Sequence, residues 1–484
     1  MEGLIPTALT NQFILAYELS HIPQGWVVYE HGGWQLAAHP SLSVLTLHSK
    51  DGAMCGWVLG VVISQDGSVV QRSLVLQGST DAELGQVLAA LRGRFALIVL
   101  ERERQRIYPD AAASLSLVFG QGQGPAAATP SLFDLRQFPR DVPLIEGLGM
   151  PGSGKWYPFG LTPRQGVQRL LPNHFLDLQS WQQKRFWPTA VLEVRDSTIS
   201  DLIKPIGERM RSTIAAVADR WYFHLPLTAG QDSRVLLAAA RDVIARGRCF
   251  VMSTGRTDMD AAMARRVAHQ AGVELDVLPT VSGSQQDLDR WLYLTGESVA
   301  GRIARDYVTL KRLSPSWALL PGTGGEVGRG FYWREDDFYG ESAHPEPLTP
   351  ETVIRRIKLP VVEPLVSRAA AWLASLAGQS RLAVLDLLYI EQRLGCWAGP
   401  QQYGVDPFVA CHLSPFTDRV VFEAMLGLPV FYRREARLAR DLCQLMWPEL
   451  AELPFNEWAG FRGWAARLRR QVHSLSRRHK STSP

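Results

Sequence analysis

Residues 224–242 read HLPLTAGQDSRVLLAAARD. An apolar run ends in Thr-Ala-Gly-Gln-Asp-Ser and passes at once into an Ala- and Leu-rich segment, which is a strand, a tight turn and a helix written in one dimension. At the carboxyl end of a parallel strand such a turn offers unpaired backbone N–H groups and a helix N-terminus to an anion. Gly230 lets the chain approach an oxyanion closely, Thr228 and Ser233 add hydroxyls, and the positive helix end points inward. Asp232 repels an anion unless a cation lies between them, which points to Mg²⁺. The alternative is that Asp232 caps the helix. The turn is not a Walker loop, which ends in Gly-Lys-Ser/Thr.

Around this turn strands and helices alternate. SDLIKPIGERMRSTIAAVADR places Ile203, Ile206, Met210, Ile214 and Val217 on one helical face, with Pro205 near its start. WYFHLPL, CFVMST, VELDVLP and SWALLPG read as strands; a helix over 233–246 stopped by Gly247 follows the first, and DAAMARRVAHQAG forms another. This alternation implies a parallel sheet with helices on both faces. Beyond residue 350 the pattern is mostly helical. To about residue 145, short β-like pieces such as GWVVYEH, GWVLGVVIS and GRFALIVLERERQRIYPD are punctuated by Gly, Asp and Ser. One helix, STDAELGQVLAALRG, interrupts them, with Ser79 or Thr80 to cap it and Gly93 to stop it. After a Pro- and Gly-rich patch, GVQRLLPNHFLDL reads as a last strand pair before Pro188. Two domains follow, 1–190 and 196–484.

Composition fits a soluble protein: 46% hydrophobic, 20% charged, and no apolar run near the roughly 20 residues of a spanning helix. The start, MEGLIPTALTNQFILAYELS, lacks a basic n-region and a cleavage site, as expected of mature cytoplasmic protein. Net charge is +4, and residues 461–484 hold seven Lys or Arg and no acid. That basic tail is either a solvated helix end or a contact for a partner or membrane surface; no nucleic-acid partner is expected. Five scattered cysteines without a C-x-x-C read as reduced core thiols.

Thr228, Ala229, Gly230, Gln231, Asp232 and Ser233 resemble the Ser-Gly-Gly-x-Asp-Ser loop of the asparagine-synthetase-like ATP pyrophosphatases, which holds pyrophosphate. LLPGTGGEVGRGFY is similar to that superfamily's second turn, with Gly322 and Gly324 on its glycines and Glu326 in place of the metal-side Asp. CFVMST, with Ser253, resembles the strand lining the adenine pocket, and Pro415, Phe416, Thr417 and Asp418 resemble a late Pro-Phe-Leu-Asp stretch. The first domain looks like the glutamine-amidotransferase sandwich that precedes such synthetases, with its Gly-Arg-Phe strand and the Asp110-x-x-x-Ser114 turn. The resemblance implies an α+β N-terminal Ntn-like β-sandwich, then an α/β parallel-sheet PP-loop ATP-pyrophosphatase domain with a helical C-terminal part. It implies ATP and Mg²⁺ as cofactors, Asp232 and Glu326 as metal ligands, and Leu227, Thr228, Ala229, Gly230, Gln231, Ser233, Ser253, Gly322 and Gly324 at the nucleotide.

Departures from the pattern shape the function expected. Glu2 stands where a glutaminase has its Cys, and Cys55 lies in a strand, so glutaminase activity is not expected. Thr323 occupies a position where some relatives carry Glu. No Lys lies between Lys358 and Lys480, which leaves Arg462 to neutralise phosphate charge as a catalytic residue beside Asp232 and Glu326. The implied activity is an ATP-dependent, AMP-forming amide ligase. It would join a small-molecule, peptide or sugar-acid carboxylate to ammonia or a substrate amine. The competing expectation is a degenerate, non-catalytic scaffold; a sulfur- or tRNA-modifying member of the wider group would need cysteines arranged for persulfide or metal chemistry. Glu335, Asp336 and Asp337 are either contacts for an acceptor amine or a solvated loop. Glu391 and Arg393 are read as separate pocket residues or a solvated face, Arg234 as a phosphate contact or an exposed first-turn residue, and His224 as a core histidine.

Overall fold

The structure, a computed structural model, describes residues 9–19, 21–76, 80–121, 124–135, 138–152, 154–255, 258–338 and 348–456. The chain is mixed α/β, with several sheets and a helical C-terminal part. Among the described residues thirteen strands precede residue 190: β1 (Phe13–Ala16), β2 (Val27–His31), β3 (Trp34–Ala38), β4 (Val44–His48), β5 (Met54–Ile63), β6 (Ser73–Val75), β7 (Arg92–Leu100), β8 (Gln105–Pro109), β9 (Val118–Gly120), β10 (Ala126–Ala128), β11 (Val167–Arg169), β12 (His174–Asp177) and β13 (Gln182–Arg185). They form a six-stranded sheet, β11-β9-β10-β1-β3-β2, and a seven-stranded sheet, β13-β12-β8-β7-β5-β4-β6. The apolar side chains of Phe13, Trp34, Leu36, Trp57, Leu59, Ile98 and Ile107 pack between them. Period-two alternation explains this: in β7, Ala96, Ile98 and Leu100 face this layer while Phe95, Leu97 and Val99 face the other side of the sheet.

Helix Asp81–Ala90 covers the outer face of the seven-stranded sheet through Leu84 and Leu88. Thr80 caps it in a capping box with Glu83. Gly93 does not stop it; the helix ends at Leu91, and Gly93 lies inside β7, where a Cβ would fall 2.2 Å from the Val61 carbonyl. The stretch Gly166–Leu178 is not a strand pair. β11 and β12 belong to different sheets, and β12 pairs with β13, an edge strand without a single apolar residue.

The third sheet is wholly parallel. Its strands are β14 (Phe223–Pro226), β15 (Gly247–Ser253), β16 (Leu275–Pro279), β17 (Ala318–Leu319) and β18 (Cys411–His412), in the order β16-β15-β14-β17-β18. The chain starts at the centre, moves outward through β15 and β16, then returns to the other side of β14. The connections therefore diverge between β14 and β17, opening a crevice at their carboxyl ends. Helix Ile199–Arg220 buries Ile203, Ile206, Met210, Ile214 and Val217 as its spacing predicts. The helix after β14 runs only from Gln231 to Ala239 and continues as a 3₁₀ turn to Arg246; Gly247 is the first residue of β15. β18 lies in the region read as helical.

Buried polar pairs tie the two halves together. Arg94 grips Asp406 in a bidentate pair at 2.5 and 2.9 Å, and Arg209 donates to the Ala90 carbonyl at 2.7 Å. Glu391, wholly buried, accepts from Arg185, from Asn173 Nδ2 at 2.7 Å and from Trp372 Nε1 at 2.6 Å.

His412 ends β18 beneath this interface. Burial, reinforced by the nearby Arg94 charge, pushes its pKa down to about 3. An unfolded His titrates near 6.5, so between these values the unfolded chain binds more protons. His412 thus contributes stability that is present above pH 6.5 and lost as the pH falls toward 3. Urea unfolding should show roughly 2 kcal/mol less stability from this group at pH 5 than at pH 7. In His412→Asn that part of the pH dependence should vanish; an unchanged dependence would assign it to other groups.

Candidate functional site

The two glycine turns meet at the crevice between β14 and β17. The first runs from Thr228 to Ser233. Thr228 Oγ1 lies 3.1 Å from Ser233 Oγ and accepts the Gly230 N–H at 3.0 Å, while Asp260 Oδ1 accepts the Ala229 N–H at 3.0 Å. These bonds fix the loop. The helix it opens has Gly230 at its N-cap, with no side chain capping the first turn, so its positive end is left for a ligand. Asp232 is therefore not a cap. It is the second residue of the helix, and its carboxylate turns toward the second turn.

There Arg329 donates to both Asp232 oxygens, at 2.6 and 2.9 Å. Burial raises the Asp232 pKa against the pull of Arg329 and with the push of Glu326. Glu326 Oε2 accepts from the Tyr389 hydroxyl at 2.6 Å and from the Gly324 N–H at 3.2 Å, and its Oε1 lies 3.7 Å from Arg329. The two expected metal ligands are thus brought together with a guanidinium spanning them. Glycine is required for this approach: a Cβ at Gly325 would sit 2.2 Å from Asp232 Oδ1, and one at Gly322 would sit 2.8 Å from Asp232 Cβ.

A cavity of ≈ 420 Å³ adjoins both turns. Thr228 and Thr323 reach it from the turns, Phe250 and Met252 from β15, and Ser114 from the sandwich. Its apolar lining includes Ile303, Leu310, Leu394 and Trp397. The last two lie on an unusual π-helical segment, Leu388–Ala398, that continues helix Arg381–Leu387. Such segments are rare and recur at functional sites; this one carries Tyr389 to Glu326 and Glu391 to the interface.

Other residues singled out in the sequence are placed differently. Leu227 and Ala229 are fully buried, so they shape the loop through their backbone. Ser253 lies one residue beyond the β15 cavity wall, its hydroxyl within 3.3 Å of the Gly255 backbone. Arg234 neither faces phosphate nor is exposed: it is buried, stacks on Phe455 and donates to the carbonyls of Leu450, Leu453 and Pro454. It thereby holds the segment whose Asn456 donates its N–H to the Ala229 carbonyl at 2.8 Å. Arg462 and the basic tail lie outside the described residues.

Asp337 is not available to an acceptor amine. Arg356 at 2.6 Å and Arg381 at 2.7 Å hold it below the usual carboxylate range despite its burial, and Glu335 pairs with Arg434. Glu391 is no solvated residue, and Arg393 stacks on Trp397. His224 is a core histidine whose Nε2 accepts the Ser314 N–H at 3.0 Å. Cys55 is buried in β5, where burial pushes its thiol up to about 11, so it is not poised as a nucleophile. All five cysteines are buried and unpaired.

The donor set suits a hard cation, since Mg²⁺ takes one or two carboxylates and completes its shell with substrate phosphate and water. Among the described residues no cluster of three or more His, Cys, Asp or Glu exists to cage an ion, so a cation here would arrive with a phosphate ligand. No helix among them is long and apolar enough to cross a membrane. No protein-family model matches this chain, and no curated protein matches it significantly.

Proposed function

We propose that this chain is an ATP-dependent, AMP-forming amide ligase of the asparagine-synthetase-like kind, its first domain an amidotransferase-like sandwich without glutaminase activity. The observation that carries the reading is the convergence of Asp232 and Glu326 at the crevice between β14 and β17, beside an uncapped helix N-terminus and a ≈ 420 Å³ cavity. A scaffold protein has no need of an acid in each of two facing glycine turns.

In this reading the first turn of helix Gln231–Ala239 and the hydroxyls of Thr228 and Ser233 bind the β- and γ-phosphates, and Phe250 and Met252 contact the adenine. Glu326, beside the Asp232–Arg329 pair, would hold Mg²⁺, which would supply charge neutralisation for the departing pyrophosphate. A carboxylate does not react with an amine in water because its leaving group is oxide. Held in the cavity, the acid's oxygen attacks the α-phosphorus of ATP; the bond to the bridging oxygen breaks and pyrophosphate leaves. The amine then adds to the acyl-adenylate carbonyl, AMP carries off the bonding pair, and the amine proton passes to solvent. The turns contribute chiefly by holding reactants in line. Ile303, Leu310, Leu394 and Trp397 give the substrate an apolar wall, which favours an acid or amine with an apolar body over a bare sugar acid. Ammonia or the substrate's own amine supplies the nitrogen, and the cytoplasm, with its ATP, is the proposed compartment.

A second reading, a nucleotide-binding protein that has lost catalysis, is favoured by the engagement of both Asp232 oxygens by Arg329. Hydroxylamine separates the two. Incubated with Mg-ATP, hydroxylamine and a panel of carboxylic acids, a ligase should form hydroxamate and pyrophosphate in equal amounts with at least one apolar acid. Binding of ATP without either product across the panel favours the second reading.

A further inference from the structure

We propose that Arg329 is a resident cation of the phosphate site, doing for Asp232 what a metal ion would otherwise do, so that Glu326 alone takes the metal brought by the nucleotide. This rests on the reading of the two turns as an ATP site. The pair is built to persist. Arg329 uses both arms of its fork on both Asp232 oxygens, at 2.6 and 2.9 Å, with the two side chains only 27% and 19% exposed. A guanidinium matched bidentately to a carboxylate is worth more than a point charge beside it, and removing either partner leaves a poorly solvated charge.

The surroundings restrict both residues. Asp232 is packed against Gly322 and Gly325 so closely that neither position has room for a methyl group. Arg329 ends the 3₁₀ turn Gly325–Arg329, which closes at Gly330 with φ 58°. Glu326 is held differently. Its Oε2 is engaged by Tyr389 and Gly324, whereas among the described residues its Oε1 has only the long 3.7 Å approach of Arg329, leaving that oxygen open to a metal. A nucleotide-borne Mg²⁺ is held by one or two carboxylates together with phosphate oxygens and water. With both Asp232 oxygens engaged by Arg329, Glu326 Oε1 is the carboxylate oxygen of these turns without a close partner among the described residues, and it defines one metal position.

The test counts metal ions. Mn²⁺ bound per molecule of α,β-methylene ATP is measured by electron paramagnetic resonance on the full-length wild type and on Arg329→Met, with a thermal melt to verify folding. One Mn²⁺ per bound nucleotide is expected in the wild type and two in Arg329→Met, where Asp232 is released. Arg329→Gln, which lacks the charge but keeps a donor for Asp232, should also bind two. Two ions in the wild type, or one in the wild type and in the folded variants, would overturn the proposal while leaving the nucleotide site standing. Absence of nucleotide binding in the wild type would overturn both the site and this inference.

Discussion

Asp232→Ala should release pyrophosphate from ATP at least about a hundred-fold more slowly than the wild type, the size of loss typical when one preorganised electrostatic partner is removed from an active site. The expectation follows from what Asp232 touches. It is the second residue of an uncapped helix, and it holds Arg329 by two hydrogen bonds. Without the carboxylate, Arg329 loses its anchor and is free to swing onto Glu326, already 3.7 Å away, which would block the remaining metal ligand. Substrate positioning and charge compensation thus fail together. The fold should survive, because Asp232 is partly exposed and the helix keeps its buried residues Val235, Leu236 and Leu237. Pyrophosphate release by a folded Asp232→Ala at the wild-type rate would sink the assignment of this loop.

Glu391→Ala should cost about 3–5 kcal/mol of stability, as expected when one partner of a buried ion pair is removed. Glu391 is fully buried and is the shared acceptor for Arg185, Asn173 and Trp372. Burial alone would raise its pKa, yet Arg185 and the other donors keep it below the usual glutamate value. Its stabilisation is therefore complete above the unfolded pKa near 4.5 and is lost as the pH falls through the lower folded value. Alanine leaves a guanidinium, an amide and an indole N–H without their acceptor between the two halves of the chain. It also loosens the π-helical segment that presents Tyr389 to Glu326. Urea unfolding at pH 7 measures the loss, and Glu391→Gln, which keeps an acceptor oxygen, should lose less. A change below about 1 kcal/mol would mean that the interface does not depend on this residue.

The two glycine turns were readable in the sequence because a strand, a turn and a helix each leave a local mark. Asp232 and Glu326 stood out for the same reason: an acid in an anion turn is a local anomaly. Arg329 was not readable as their partner. It lies 97 residues beyond Asp232, and its place one 3₁₀ turn after Glu326 became informative only when β17 was known to lie beside β14. Arg234 shows the opposite failure, since its position next to the loop says nothing about the helix face on which it lies, and that face is turned to the Leu450–Pro454 carbonyls. β18 is two residues long and β13 is entirely polar, so neither offers a run of alternation to detect. The sequence leaves Glu391 either a pocket residue or part of a solvated face, because the partners that make its burial tolerable, Arg185 and Asn173 of the first half and Trp372, are distant in the chain.

The most direct test of the account is hydrogen–deuterium exchange of the full-length wild type with and without Mg-ATP. If the turns at β14 and β17 hold the nucleotide, peptides covering 226–236 and 320–330 should both gain protection. Peptides from the sandwich strands β2 and β3, away from the crevice, should be unchanged. ATP binding with protection elsewhere and none in these two turns would contradict the account.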